Sequence, residues 1–275
     1  MILILKVDKS LHLCYIYNGG GKMKCLEYPF DSKFILKNKK SLKKDLMQDG
    51  DLLEKRIAIL GGSTTSEIKN ILEIFLLNYK IKPLFYESEY NQFYQDIMFE
   101  NKKLEQFKPD IIFIHTSNRN ITSYPTLMDK EEDINLLLEN ELKRFYNMWD
   151  TCFKKYNCPI IQNNMELPYY RVLGNKDVSD VHGKINYINR INMKFYDYAN
   201  QHKNFYINDI NYLSSMYGLD KWSDQFYWYM YKYALSVNAI PYLSFNVANI
   251  IKSIYGKNKK ALVLDLDNTL WGGVI

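Results

Sequence analysis

The chain is poor in the features that would place it outside the ordinary globular class. Its four cysteines, Cys14, Cys25, Cys152 and Cys158, form no Cys-x-x-Cys pair. That removes the common zinc and disulfide-framework signatures and leaves reduced thiols as the expectation. Histidine is scarce as well, and His12, His182 and His202 have no metal-ligand spacing. No apolar run reaches the length of a membrane span, and the opening Met1-Ile-Leu-Ile-Leu-Lys6 is too short for a signal-peptide core and lacks a small-residue cleavage site. Internal repeats and low-complexity blocks are absent too. A cytoplasmic location follows as the expectation.

What is present can build a core. Of 275 residues, 47% are hydrophobic, enough for one large domain or one domain with appendages. The net charge of +5 comes mainly from two lysine runs, at 37–44 and 252–260, with no basic stripe interleaved with aromatics. Such runs are solvated helix faces and linkers rather than nucleic-acid sites, although they can dock an acidic partner.

From residue 56 onward strands and helices alternate. Short apolar runs at 57–60, 83–86, 110–115, 159–162 and 205–209 read as buried strands. Between and after them, 66–79, 90–107, 131–156, 183–202 and 239–255 carry helical periodicity. Parallel strands need crossovers, and helical crossovers cover both sheet faces, so the pattern predicts a doubly wound three-layer αβα domain of flavodoxin-like type. Ahead of it, alternation at 2–8 and 12–18, with a glycine turn leading into 23–28, predicts a small β appendage followed by a basic helical stretch over 34–54 with Asp49-Gly50-Asp51 as a break. The division expected is 1–55 for appendage and helix, 56–256 for the α/β domain, and 257–275 for a linker and one further strand.

That last strand carries chemistry. Ala261-Leu-Val-Leu ends in Asp265-Leu-Asp267, followed by Asn268-Thr269-Leu270-Trp-Gly-Gly-Val-Ile275. Two carboxylates delivered together to a strand end repel unless a cation lies between them or one is protonated, which is the pattern of a Mg²⁺ site. The run resembles the first motif of the haloacid-dehalogenase-like (HAD) phosphotransferases, and its continuation resembles the FkbH-like branch. The resemblance implies that Asp265 is the nucleophile at phosphorus and Asp267 the general acid/base. It further implies Mg²⁺ on the Asp265 carboxylate and the Asp267 main-chain carbonyl, with Thr269 orienting the loop. The later Ser/Thr, Lys and acid that such a site needs do not follow Ile275. The expectation is therefore an amino-terminal fragment of a longer enzyme, ending in a truncated HAD domain that has no phosphatase activity and binds no Mg²⁺ on its own.

In a doubly wound sheet, ligands sit beyond the carboxyl ends of the strands at the switch point. The loops expected to face each other there are Gly61-Gly62-Ser63-Thr64-Thr65-Ser66 and His115-Thr-Ser-Asn118-Arg119-Asn120. The first resembles the Gly-Asp-Ser block of SGNH (GDSL-like) hydrolases, with Ser63 on the nucleophile position and Gly62 in place of the family's Asp. Asn118 loosely matches the Asn that donates to the oxyanion, without the surrounding Gly-x-Asn-Asp. At the Asp-x-x-His block stands Asp224-Gln225-Phe226-Tyr227, with Tyr227 where the base should be. A serine hydroxyl must lose its proton as it attacks, so a substitute base is required, and His115 is the candidate. Without one, Ser63 to Ser66 serve to cap a helix. Asn163-Asn164, Leu173-Gly174-Asn175 and residues 214–228 also resemble the FkbH-like pattern, which extends the resemblance over 56–275. Trp222 and Trp228 are expected to pack rather than to stack on a cofactor.

FkbH-like proteins couple an SGNH-like domain to a HAD domain that takes a glyceryl phosphate unit from 1,3-bisphosphoglycerate. They dephosphorylate it and load glyceryl onto an acyl carrier protein in polyketide-like or polysaccharide biosynthesis. The resemblance thus implies a phosphorylated three-carbon substrate and an acyl carrier protein as partners, with neither nucleic acid nor membrane. Two readings of the first domain stand side by side: a catalytically quiet module for docking or positioning, and an active esterase or acyltransferase using Ser63.

Overall fold

The computed structural model describes residues 17–18, 22–48 and 50–257. Cys14, Asp265 and Asp267, the alternating run at 2–8 and the lysines beyond Lys257 lie outside the described residues. So does the strand expected to start at Ala261.

The centre is one sheet of five strands, β3 (Leu53–Gly61), β4 (Ile81–Glu87), β5 (Ile111–His115), β6 (Ile160–Asn163) and β7 (Phe205–Asn208). They run parallel in the order β4-β3-β5-β6-β7, the doubly wound order that reverses between β3 and β5. Because strand side chains alternate, the sheet feeds two separate cores. On one face Ile57, Ile59, Ile111, Phe113 and Ile161 meet α2 (Ser66–Asn78) and α10 (Ile240–Ile254). On the other, Ala58, Leu60, Ile112, Ile114 and Ile160 meet α5 (Glu131–Tyr156) and α6 (Lys184–Gln201). Helix α2 buries Ile68, Ile71, Leu72 and Phe75, the one-face spacing of its sequence.

At the amino-terminal side, β1 (Tyr17–Asn18) and β2 (Lys22–Met23) form an antiparallel ladder two residues long. The strand expected over 23–28 stops there, because Lys24–Leu26 turns into a 3-10 helix. The basic helix α1 (Ser32–Leu46) is capped by Asp31, whose side chain accepts from Lys33 N at 2.9 Å. It ends at Leu46, just ahead of the break expected at Asp49-Gly50-Asp51, and beyond that break Leu53 already pairs with Ile81 in the sheet rather than continuing a helix. Ile35, Leu42 and Leu46 enter the same core as α2 and α10. The single helix expected over 90–107 is two, α3 (Phe93–Met98) and α4 (Lys102–Phe107). The break has a cause: Asn101 caps α4, its side chain accepting from Leu104 N at 3.0 Å.

Beyond β7 lie three short helices, α7 (Ile210–Tyr217), α8 (Leu219–Trp222) and α9 (Gln225–Tyr231), which bring residues 219–232 to the carboxyl edge of the sheet. Among the described residues no helix is long and apolar enough to cross a membrane. Cys25, Cys152 and Cys158 carry free thiols, and burial pushes Cys158 up to about 12, which leaves it unreactive.

Candidate functional site

Gly61 stands opposite His115 in the β3–β5 register, so both loops leave the sheet at the switch point. They do face each other. Gly62 N donates to His115 O at 2.8 Å, and Asn120 Nδ2 donates to Gly62 O at 2.9 Å. Above them passes the end of α9: Thr64 N donates to Lys232 O at 3.0 Å, and Thr64 Oγ1 to Tyr231 O at 2.7 Å. Ser63 is therefore covered, at 3% exposure.

The expected helix caps are not formed by these hydroxyls. Thr65 Oγ1 donates to Glu87 Oε1 at 2.8 Å, and α2 begins without a side-chain cap. Ser63 Oγ is buried with no hydrogen-bond partner.

Gly62 has a steric reason. A Cβ there would stand 2.4 Å from the Asn120 amide, which is held in place by Ser117 N donating to its Oδ1 at 3.0 Å. The Asp found at this position in SGNH hydrolases cannot enter without expelling Asn120. Gly62→Asp is accordingly expected to lower stability by about 1–3 kcal/mol through overpacking and the lost bridge. Urea unfolding checks this, and an unchanged midpoint would contradict the close approach.

His115 belongs to a buried chain of amides crossing the strand ends. Asn246 Nδ2 on α10 donates to Asn208 Oδ1 at 2.6 Å. Asn208 Nδ2 donates to Asn163 Oδ1 at 2.7 Å, and Asn163 Nδ2 to His115 Nδ1 at 2.8 Å. The direction is fixed, because Asn163 Nδ2 also donates to Thr116 O at 3.1 Å while its Oδ1 is taken by Asn208. His115 Nδ1 must then accept, which puts the proton on Nε2. Burial at 1% exposure pushes its pKa down to about 4, so the ring stays neutral. Nε2–H is a donor without a partner, and Ser63 Oγ is not bonded to it. A general base needs a lone pair aimed at the hydroxyl, and this imidazole offers the opposite.

The remaining sequence candidates are engaged elsewhere. Asn118 Nδ2 donates to Glu166 O at 3.2 Å, and Asn118 N donates to Glu166 Oε2 at 3.1 Å. Asp224 caps α9 by accepting from Phe226 N at 2.8 Å. Trp222 is core, and Trp228 carries the Arg119 guanidinium 4.3 Å above its ring. His182 pairs with Asp180 at 2.7 Å and His202 stacks on Tyr198. Among the described residues no His, Cys, Asp or Glu cluster could hold a metal.

The open cavity, about 390 Å³, lies one strand over. It is lined by Asn118, Arg119, Glu166, Lys184, Asp220 and Trp222 among others. Sequence reasoning reached Asn118 and Trp222 but missed Glu166 and Lys184. It also missed Asn208 and Asn246, although Asn208 ends its strand as Asn163 and His115 end theirs.

Fold and site together define a doubly wound αβα domain whose switch-point serine, Ser63, is hydrogen-bonded to no base among the described residues. Over residues 56–252 the chain matches the family described as FkbH, N-terminal domain, and it belongs to that family. It is similar to the N-terminal part of a Bacteroides fragilis protein that contains a phosphatase domain and is complexed with Mg. The TM-score is 0.72 and the identity 26%, over 86% of this chain and 62% of that one. The chain thus spans less than two thirds of that structure. More distant are a GDSL-like lipase from Bacteroides thetaiotaomicron (TM-score 0.43, 12% identity, 78% of this chain and 98% of that one) and the catalytic domain of Streptococcus pneumoniae peptidoglycan O-acetyltransferase A (0.39, 12%, 74% and 96%). Likeness of that order bears on neither activity nor substrate. No curated protein is significantly similar to the chain.

Proposed function

We propose that residues 56–252 are a cytoplasmic, non-hydrolytic SGNH-like module of a larger FkbH-like enzyme. In that enzyme a HAD domain beginning at Asp265 and Asp267 dephosphorylates a glyceryl phosphate donor and loads glyceryl onto an acyl carrier protein. One observation carries the quiet module: Ser63 is buried, and the imidazole that the described residues bring to the switch point, His115, is a neutral Nε2–H donor. Family membership and the Asp265–Asp267 run support the parent activity, with Mg²⁺ on those two residues supplying charge neutralisation at phosphorus when bound.

An acidic carrier protein would be steered by exposed lysines of the α1 run. Lys39 and Lys43 are already paired with Glu67 and Glu73 at 2.5 and 2.6 Å, which leaves Lys37, Lys40 and Lys44 for that role.

The rival reading, an esterase or acyltransferase using Ser63, requires a base that no described residue supplies. Hydrolysis of short acyl esters by the wild type is therefore expected to equal that of Ser63→Ala, with no label at Ser63 from a sulfonyl fluoride. A burst of acyl-enzyme dependent on Ser63 would overturn the quiet reading.

A further inference from the structure

The cavity beside β5 and β6 is not the switch-point crevice. Its walls combine two cations with one buried acid. Arg119 lies over Trp228 at 4.3 Å, and Lys184 Nζ over Tyr124 at 5.0 Å. Neither side chain makes a salt bridge or a hydrogen bond to any described residue. An aromatic face holds a cation in place while leaving its N–H donors unused. Two positioned cations with free donors in a concave site are the arrangement that recognises an oxyanion, Arg in particular matching phosphate geometry.

Beside the polar Asn118, Ser223 and Gln225, the lining has an apolar side made by Leu167, Pro168, Val172 and Trp222. A bare inorganic ion would leave these walls unused. From this juxtaposition we propose that the cavity binds a small organic phosphate monoester, its oxyanion between Arg119 and Lys184 and its body against Leu167, Pro168 and Trp222. The site is independent of Ser63 and of the phosphatase motif, and it stands or falls apart from the function proposed above.

Two acids face the same space. Asp220 lies on the exposed rim, at the start of α8, and Glu166 is 4% exposed at the base. Tyr124 stands beside Glu166, its hydroxyl donating to Asn118 O at 2.6 Å, and burial raises its pKa out of range. With both acids ionised the charges of Arg119, Lys184, Glu166 and Asp220 cancel. Burial pushes Glu166 up to about 7, against the backbone N–H of Asn118 and the Arg119 charge. Protonation of Glu166 leaves the cavity with one net positive charge and adds an O–H donor. Anion binding should therefore take up a proton, strengthening as pH falls through neutrality and weakening as it rises.

Inorganic sulfate separates this effect from the probe's own titration, because it remains a dianion across the range. Calorimetric titration of the full chain is expected to show sulfate affinity falling toward ~10-fold per pH unit above pH 7, the limit for one linked proton. Glu166→Gln should bind as the wild type does at low pH and lose the slope. Arg119→Gln with Lys184→Gln should weaken binding by on the order of tenfold or more, as expected for two charge-assisted contacts, while Lys103→Gln with Lys143→Gln, two exposed lysines away from the cavity, changes nothing. Phenyl phosphate at pH 6 should bind more tightly than sulfate. The proposal is overturned by equal losses in the two double variants, which would mark diffuse attraction, by a pH slope unchanged in Glu166→Gln, or by phenyl phosphate binding no better than sulfate.

Discussion

In the larger enzyme proposed above, Asp265→Asn is expected to reduce glyceryl loading onto acyl carrier protein by on the order of 10³-fold or more. The proposed role of Asp265 is attack at phosphorus, and an amide has no anionic oxygen with which to attack. Asn is nearly the same size as Asp, so folding should be preserved, and a melting curve run beside the assay separates chemistry from structure. Mass spectrometry of the carrier protein reads the product directly. In the same protein Ser63→Ala should load at the wild-type rate. The opposite pattern, with Ser63 essential and Asp265 dispensable, would transfer the chemistry to the first domain.

The second large effect concerns the core that positions the carboxyl edge. Trp149 on α5 is fully buried, and its Nε1 donates to Gln162 Oε1 at 2.9 Å. Phe195 lies edge-on to it at 4.8 Å, with Tyr198 and Phe205 each at 4.7 Å. Gln162 in turn donates to Thr116 Oγ1 at 2.7 Å, next to His115. Trp149→Ala would open a cavity among these rings and strand the Gln162 carbonyl. A loss of about 3–5 kcal/mol is expected from large-to-small core substitution. Trp149→Phe keeps most of the volume and removes only the N–H, so its cost should be clearly smaller. Chemical denaturation of both variants tests the ranking, and equal losses would mean that the hydrogen bond, not the packing, dominates at this position.

The sheet was legible because its strands are short apolar runs, such as Ile111 to Ile114, separated by helices with one-face spacing. Strand ends were less so. Leu53 to Arg56 belong to β3, but their exposed and charged side chains conceal a strand recognisable only by its pairing with β4. The break between α3 and α4 depended on the Asn101 cap, which looks like any other polar residue in a helical run. At the site, the lack of a histidine in the Asp-x-x-His block was legible directly, since Tyr227 stands at its last position. The tautomer of His115 could not, since it is set by Asn208 and Asn246, 93 and 131 positions away in the chain and brought to it only by the topology. Glu166 gave no periodic signal at all. Its perturbation comes from burial beside Arg119, a property of tertiary packing.

The claim that Ser63 has no base rests on which nitrogen of His115 carries its proton. Long-range ¹⁵N correlation spectra of the imidazoles measure this directly. The account predicts that His115 is neutral, with Nε2 protonated and Nδ1 an acceptor, unchanged from pH 8 down to pH 5, since burial holds its pKa at about 4. An unprotonated Nε2 at neutral pH, or a ring titrating near 6.5 to 7, would contradict it and return Ser63 to the candidates for catalysis.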